Sequence, residues 1–106
     1  MQDSLHIDIA QRNGVTILSV LGEVDLATAP ILDEQISAAE AGDASRIVVD
    51  LDRVSFMDSS GLQVLLAHVL SKQNGSRLQV TRGSPQVARL FTVSGMLDQL
   101  PFVAPE

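Results

Sequence analysis

Cysteine is absent from the 106 residues, and with it go disulfides, thiolate metal sites and thiol catalysis. Tryptophan and tyrosine are absent too, leaving three phenylalanines. Lysine occurs once, at Lys72, and six arginines are scattered along the chain. A nucleic-acid surface needs a basic stripe and stacking rings, so direct DNA or RNA binding is not expected. No stretch approaches the about 18 apolar residues of a membrane span, so membrane insertion is not expected either. The opening "MQDSLHID" has no basic start followed by an apolar stretch. No secretory signal is therefore read there, and a cytoplasmic location is expected.

What is present is an ordinary folding composition, 45% hydrophobic and 19% charged. It reads as a single domain over residues 1–106, too short for a two-domain enzyme with a cleft between its parts. Thirteen acidic residues against seven basic ones give a net charge of −6, which suits protein partners or simple solubility.

The hydrophobic pattern alternates between strand and helix periods. "LHIDIA" sets Leu5, Ile7 and Ile9 against His6, Asp8 and Ala10, a half-buried strand, with His6 an exposed strand side chain. Asn13-Gly14 is a strong hairpin signal because both residues tolerate positive φ, so Val15–Leu21 should return antiparallel. Gly22 should break that second strand. Thr28 can cap a helix with Pro30 in its first turn. Asp33 and Glu34 should lie near that helix's positive end, Leu32, Ile36 and Ala39 on its apolar face, and Gly42 just past its end. "RIVVDL", Arg46–Leu51, reads as a strand buried on both faces. A helix should begin near Ser59 or Ser60, with Leu62, Leu65, Leu66, Val69 and Leu70 facing the core. It should stop at Asn74-Gly75, with His68 structural or solvent-facing. "RLQVT" is a further strand. Ser84 and Pro85 open a helix that buries Val87, Leu90 and Phe91 and ends at Gly95. "LPFV" offers a last short strand. Strands alternating with helices after an opening hairpin predict an α/β fold. The sheet should be mixed and mostly parallel, with four to five strands and about three helices packed against it.

"FMDSSGL", Phe56–Leu62, raises the functional question. Asp and Ser are preferred helix caps, so capping alone explains much of "DSSG". The motif nevertheless follows a buried strand and opens a helix, at the carboxyl edge where open α/β sheets meet ligands and partners. A phosphate on a serine there would gain from the helix N-terminus and be opposed by Asp58.

"IVVDLDRVSFMDSSGLQVLL" closely resembles the signature of the STAS domain in bacterial anti-sigma factor antagonists. "GEVD" resembles that family's turn after the second strand, and "SPQVARLFTVSGM" its third helix and following turn. These motifs run in order from about Leu5 to Val103. The resemblance implies a STAS-type fold and a partner-switching role in transcription. The dephosphorylated antagonist binds an anti-sigma factor that is also a serine kinase, and this frees a sigma factor. ATP-dependent phosphorylation of one serine breaks the complex, and a phosphatase resets it. The target serine is the first after the Asp of the motif, here Ser59. Asp58 flanks it and Asp25 lies in the adjacent loop. Ser60 would cap or assist, Gly61 would admit the partner's backbone, and Met57 and Leu62 would supply apolar contact. Each has a plainer reading: Met57 as core or rim, Asp25 as the order of its own loop, Gly61 as helix–sheet packing. Members of the family usually continue past the last strand into a further helix, for which "LPFVAPE" leaves no room, so the contacts that such a helix makes in relatives are not expected here.

Two rivals remain. An enzyme would need parts the sequence does not supply: G-x-S-x-G is interrupted by Met57, and there is no P-loop, no G-x-G-x-x-G and no cluster with metal-ligand spacing. Neither catalysis nor a cofactor is therefore expected. STAS domains also serve as accessory subunits of membrane transport assemblies and as stress-signalling scaffolds, and fold alone does not choose. The intact "DSSGL" favours the phosphorylation switch.

Overall fold

The structure, a computed structural model, describes residues 5–71 and 77–104. Strand β1 (Leu5–Arg12) turns through Asn13 (φ 53°) and Gly14 (φ 80°) into β2 (Val15–Val24). Two consecutive left-handed residues make the turn whose twist matches an antiparallel pair, and Arg12 faces Val15 in the register. Helix α1 (Ala29–Glu40) leads to β3 (Arg46–Met57), then helix α2 (Ser59–Leu70), β4 (Leu78–Val80) and helix α3 (Pro85–Ser94). The sheet order is β1-β2-β3-β4, with β1 antiparallel to β2 and the other neighbours parallel. This is the mixed four-stranded sheet with three helices that the sequence predicts.

One apolar cluster holds it together. Leu18, Val20 and Val24 of β2 and Ile47, Val49, Leu51, Val54 and Met57 of β3 meet Leu32 and Ile36 of α1, Leu65 of α2 and Phe91 of α3. Ile17 and Val48, paired in the register, alternate onto the other side of the sheet and are buried as well. Ile47, Val48 and Val49 are therefore buried on both faces, as their unbroken apolar run requires.

Several local expectations are corrected. Gly22 does not end β2; at φ 103° it sits in a register shift, and the strand continues to Val24. A glycine inside a strand marks a bulge as readily as a stop. β3 does not end at Leu51 but runs to Met57, with only Val54 and Met57 buried beyond Leu51. Ile9 emerges to solvent on the edge strand, and Leu70 is 63% exposed, because both lie beyond the reach of the core. Gly42 follows α1 without a left-handed φ. Asp33 and Glu34 are not in the first turn of α1. Asp33 instead reaches across to α2, where His68 Nε2 lies 2.6 Å from Asp33 Oδ1 and Nδ1 lies 3.0 Å from each oxygen of Glu40. His68 is structural, tying the two helices together. The stop expected at Asn74-Gly75 lies outside the described residues. "LPFV" forms only a single bridge, Phe102 to Val80.

The far edge of β3 is closed in an unusual way. Along β3, β4 covers only Ile47, Val48 and Val49. Farther along, side chains and loop backbone from the approach to α3 stand in for a strand. Thr81 Oγ1 accepts from Leu51 N–H (2.8 Å), Ser84 N–H donates to the Leu51 carbonyl (3.3 Å), and the Ser84 hydroxyl donates to the Val54 carbonyl (2.6 Å). Buried backbone groups must find partners somewhere, and here the residues that start α3 supply them. Ser84 also caps α3 by accepting from Val87 N–H (3.5 Å), and Gly95 (φ 78°) ends that helix.

Candidate functional site

The site forms where β2 and β3 end side by side. Glu23 pairs with Phe56 and Val24 with Met57, and Asp58 N–H donates to the Val24 carbonyl at 3.1 Å. The loop after β2 and the start of α2 are thereby joined, and Asp25 and Ser59 fall at the same end of the sheet.

Asp58 is the helix cap. Its backbone is extended, its Oδ1 accepts from Ser60 N–H at 2.8 Å, and its carbonyl accepts from Gly61 and Leu62. The cap is thus neither serine, which corrects the expectation that Ser60 caps. With the capping task done by Asp58, the Ser59 hydroxyl is released. Ser59 is exposed, and its hydroxyl makes no hydrogen bond among the described residues. Ser60 is half-buried behind it.

Asp25 orders its own loop. Its Oδ1 accepts from the backbone N–H groups of Ala27 and Thr28, each at 3.0 Å. The Thr28 hydroxyl accepts from Asp25 N–H and donates to the Glu23 carbonyl, both at 2.9 Å. Thr28 therefore does not cap α1 through its side chain; its oxygen is engaged in the loop, and the short Asp side chain closes the turn instead.

Gly61 has a packing reason to be glycine. A Cβ there would stand 2.8 Å from Met57 Cγ and 2.8 Å from Val24 Cγ1. The helix start lies so close to the sheet that only a bare backbone fits. Met57 is 1% exposed and Leu62 7% exposed, both within the core cluster. In the free protein these three lie beneath the surface, so the plainer readings of Met57 and Gly61 hold. Two apolar residues that the motif reading missed do reach solvent: Leu26, 80% exposed in the Asp25 loop, and Phe56, 41% exposed beside Glu23. Their signal was available. Leu26 is a large apolar residue inside a tight polar turn, and Phe56 sits between two inward positions, Val54 and Met57.

The charge of this end is acidic, with Glu23, Asp25 and Asp58 contributing carboxylates and no Lys or Arg in "GEVDLATA" or "SFMDSSGL". Among the described residues no cluster of His, Asp and Glu is arranged to hold a metal ion, and no helix is long and apolar enough to cross a membrane.

At this end of an α/β domain the structure brings together an exposed Ser59 hydroxyl at a helix start already capped by Asp58, and the exposed apolar side chains of Leu26 and Phe56. Comparison with known proteins gives the chain its family. Residues 6–105 match the model of the STAS domain, and the chain belongs to that family. It is 40% identical over 85 residues to the anti-sigma-F factor antagonist RsfB of Mycobacterium tuberculosis, a match covering 77% of this chain and 68% of the relative. It is 35% identical over 98 residues to an anti-sigma-B factor antagonist of Bacillus subtilis, covering 90% and 87%. A crystal structure of an anti-sigma factor antagonist from Mycobacterium paratuberculosis superposes with a TM-score of 0.81 at 32% identity, covering 97% of this chain and 87% of that one.

Proposed function

We propose that this protein is an anti-sigma factor antagonist of the cytoplasm whose binding is switched by phosphorylation of Ser59. The observation that carries the reading is the free, exposed Ser59 hydroxyl on a helix already capped by Asp58. The partner is an anti-sigma factor with serine kinase activity, and a phosphatase reverses the mark. In the bound, unmodified state Leu26 and Phe56 supply apolar contact around Ser59 and Ser60, with Asp25 and Asp58 at the rim. Met57, Gly61 and Leu62 act from below by fixing the helix start.

In the switching step Ser59 Oγ attacks the γ-phosphorus of ATP held by the kinase. A P–O bond forms to serine, the bond to ADP breaks, and the hydroxyl proton leaves to solvent or a base on the kinase. The product carries about −1.5 to −2 added charge among three carboxylates. The helix N-terminus offsets only about 0.3–1 kcal/mol of that. Burying the phosphate against a docked partner is therefore unfavourable, and the complex separates. No turnover by the antagonist itself enters this scheme.

The test is to incubate the protein with its candidate anti-sigma kinase and ATP, map phosphate by mass spectrometry and measure affinity by calorimetry. One phosphate on Ser59 with loss of the complex is expected. Ser59→Asp should weaken binding at least about tenfold, some 1.4 kcal/mol, while Ser59→Ala should bind and resist ATP-driven release. Equal affinity of both variants would count against the switch. No binding to any anti-sigma factor would turn the reading toward a subunit of a transport assembly or a stress-signalling scaffold.

A further inference from the structure

The unpaired edge of β3 ends on Met57, the residue before Asp58 and Ser59, and one side chain closes it there. Gln86, on the first turn of α3, accepts from Met57 N–H through Oε1 at 3.0 Å and presents Nε2 to the Met57 carbonyl at 3.4 Å. The orientation of that amide follows from its partners: Met57 N–H needs an acceptor, so the oxygen faces it and the NH2 group falls opposite the carbonyl. A side-chain amide bonded to both backbone groups of one residue reproduces what a neighbouring strand would offer. Met57 is also the side chain that meets Gly61, so its placement sets how the first turn of α2 sits on the sheet. Beyond Met57 the chain is held by Asp58 N–H on the Val24 carbonyl and by the Asp58 cap. The last ladder bond on the α3 side is Gln86's.

We infer that Gln86 is the positioning residue for Ser59: its amide fixes the end of β3, and so fixes the point from which the hydroxyl is offered to a kinase. The inference rests on the reading of Ser59 as phosphoacceptor and adds the part of the fold that aims it. Gln86 does not touch the transferred phosphoryl group in this scheme. It acts through Met57, and it makes α3 part of the switch although α3 carries none of its motif.

The experiment compares the full chain with Gln86→Leu and Gln86→Glu. Gln86 is exposed and lies outside the apolar cluster, so the fold should survive, and exchange of the Val48 and Leu18 amides checks this. In Gln86→Leu, hydrogen exchange should quicken about tenfold at Met57. It should also quicken at Asp58 and Ser60, whose N–H groups Gln86 does not contact, while Val48 and Leu18 stay unchanged. Phosphorylation of Ser59 by the anti-sigma kinase should lose about tenfold in kcat, with KM within about twofold, since Leu26 and Phe56 remain. Gln86→Glu keeps the acceptor but sets a carboxylate oxygen against the Met57 carbonyl, and should fall between. Faster exchange at Met57 alone, with Asp58, Ser60 and kcat unchanged, would overturn the inference and reduce Gln86 to one edge bond. If the unaltered protein takes no phosphate, the switch reading fails, and exchange at Asp58 and Ser60 still decides whether Gln86 holds this segment.

Discussion

Replacing Gly61 by alanine sets two effects of known sign against each other. Alanine is favoured over glycine inside a helix by at most about 1 kcal/mol, and less in the first turn, where Gly61 lies third. Against this, the new methyl would stand 2.8 Å from Met57 Cγ and Val24 Cγ1 and 3.0 Å from Met57 Sδ. The Met57 sulfur can swing aside, but its Cγ is near the backbone, and Val24 is β-branched with a stiff χ1. Val24 is also fully buried in the core. Overpacking of this kind costs about 1–3 kcal/mol, so the collision wins. The net loss should be about 1 kcal/mol for Gly61→Ala and about 3 kcal/mol for Gly61→Val. With a urea m-value of about 2 kcal/mol/M, the alanine variant should lose about 0.5 M in its midpoint. The melting temperature should fall by about 4–8 °C. Far-UV circular dichroism is the assay, since the chain has no Trp or Tyr to report by fluorescence. If Val24 is the obstacle, Val24→Ala should cost less in the Gly61→Ala background than alone, by about 0.5 kcal/mol or more. An alanine variant as stable as the parent, or more so, would refute the reasoning, since helix propensity would then exceed the contact.

Other substitutions probe separate parts of the fold. Asp58→Ala removes the cap from Ser60 N–H and should cost about 1 kcal/mol, whereas Asp58→Asn should recover most of it in the same urea titration. His68→Ala leaves Asp33 and Glu40 without their shared partner; these groups are partly exposed, so the loss should be about 1 kcal/mol or less and should shrink in 1 M salt as screening rises. Leu26→Ser should leave the urea midpoint unchanged, because Leu26 is 80% exposed, yet weaken anti-sigma binding about tenfold or more if Leu26 is a buried anchor in the complex. Unchanged affinity would remove Leu26 from the contact.

Signals that depend on neighbouring residues were readable in the chain. Asn13-Gly14 needs only its own backbone freedom, and Ser84-Pro85 and Gly95 need only the helix they bound. A cap within "DSS" was legible from residue type, but that Asp58 and not a serine supplies it came from the structure. Signals that depend on distant partners were not readable. Thr28 has the right type for a cap, but Asp25 and Glu23 claim its oxygen. Gly61 owes its identity to Val24, on another strand. The second half of β3 looks polar because its outer positions face solvent, and its pairing with Leu21–Val24 holds it as a strand. Gln86 looks like any polar residue of a first helical turn until Met57 is placed beside it.

The closure of β3 by Thr81, Ser84 and Gln86 bears on solubility. A strand edge with free N–H and C=O groups is a template for other chains, and here the polar side chains of Thr81, Ser84 and Gln86, with the backbone N–H of Ser84, keep that template covered. A chain carrying Thr81→Val, Ser84→Ala and Gln86→Leu together would keep most of its core, since the apolar cluster does not include those residues. It would also expose a sticky edge at Leu51–Met57. Such a variant should form β-rich assemblies at concentrations where the parent stays monodisperse by light scattering. Those three positions would then protect the protein from its own copies as well as hold its shape.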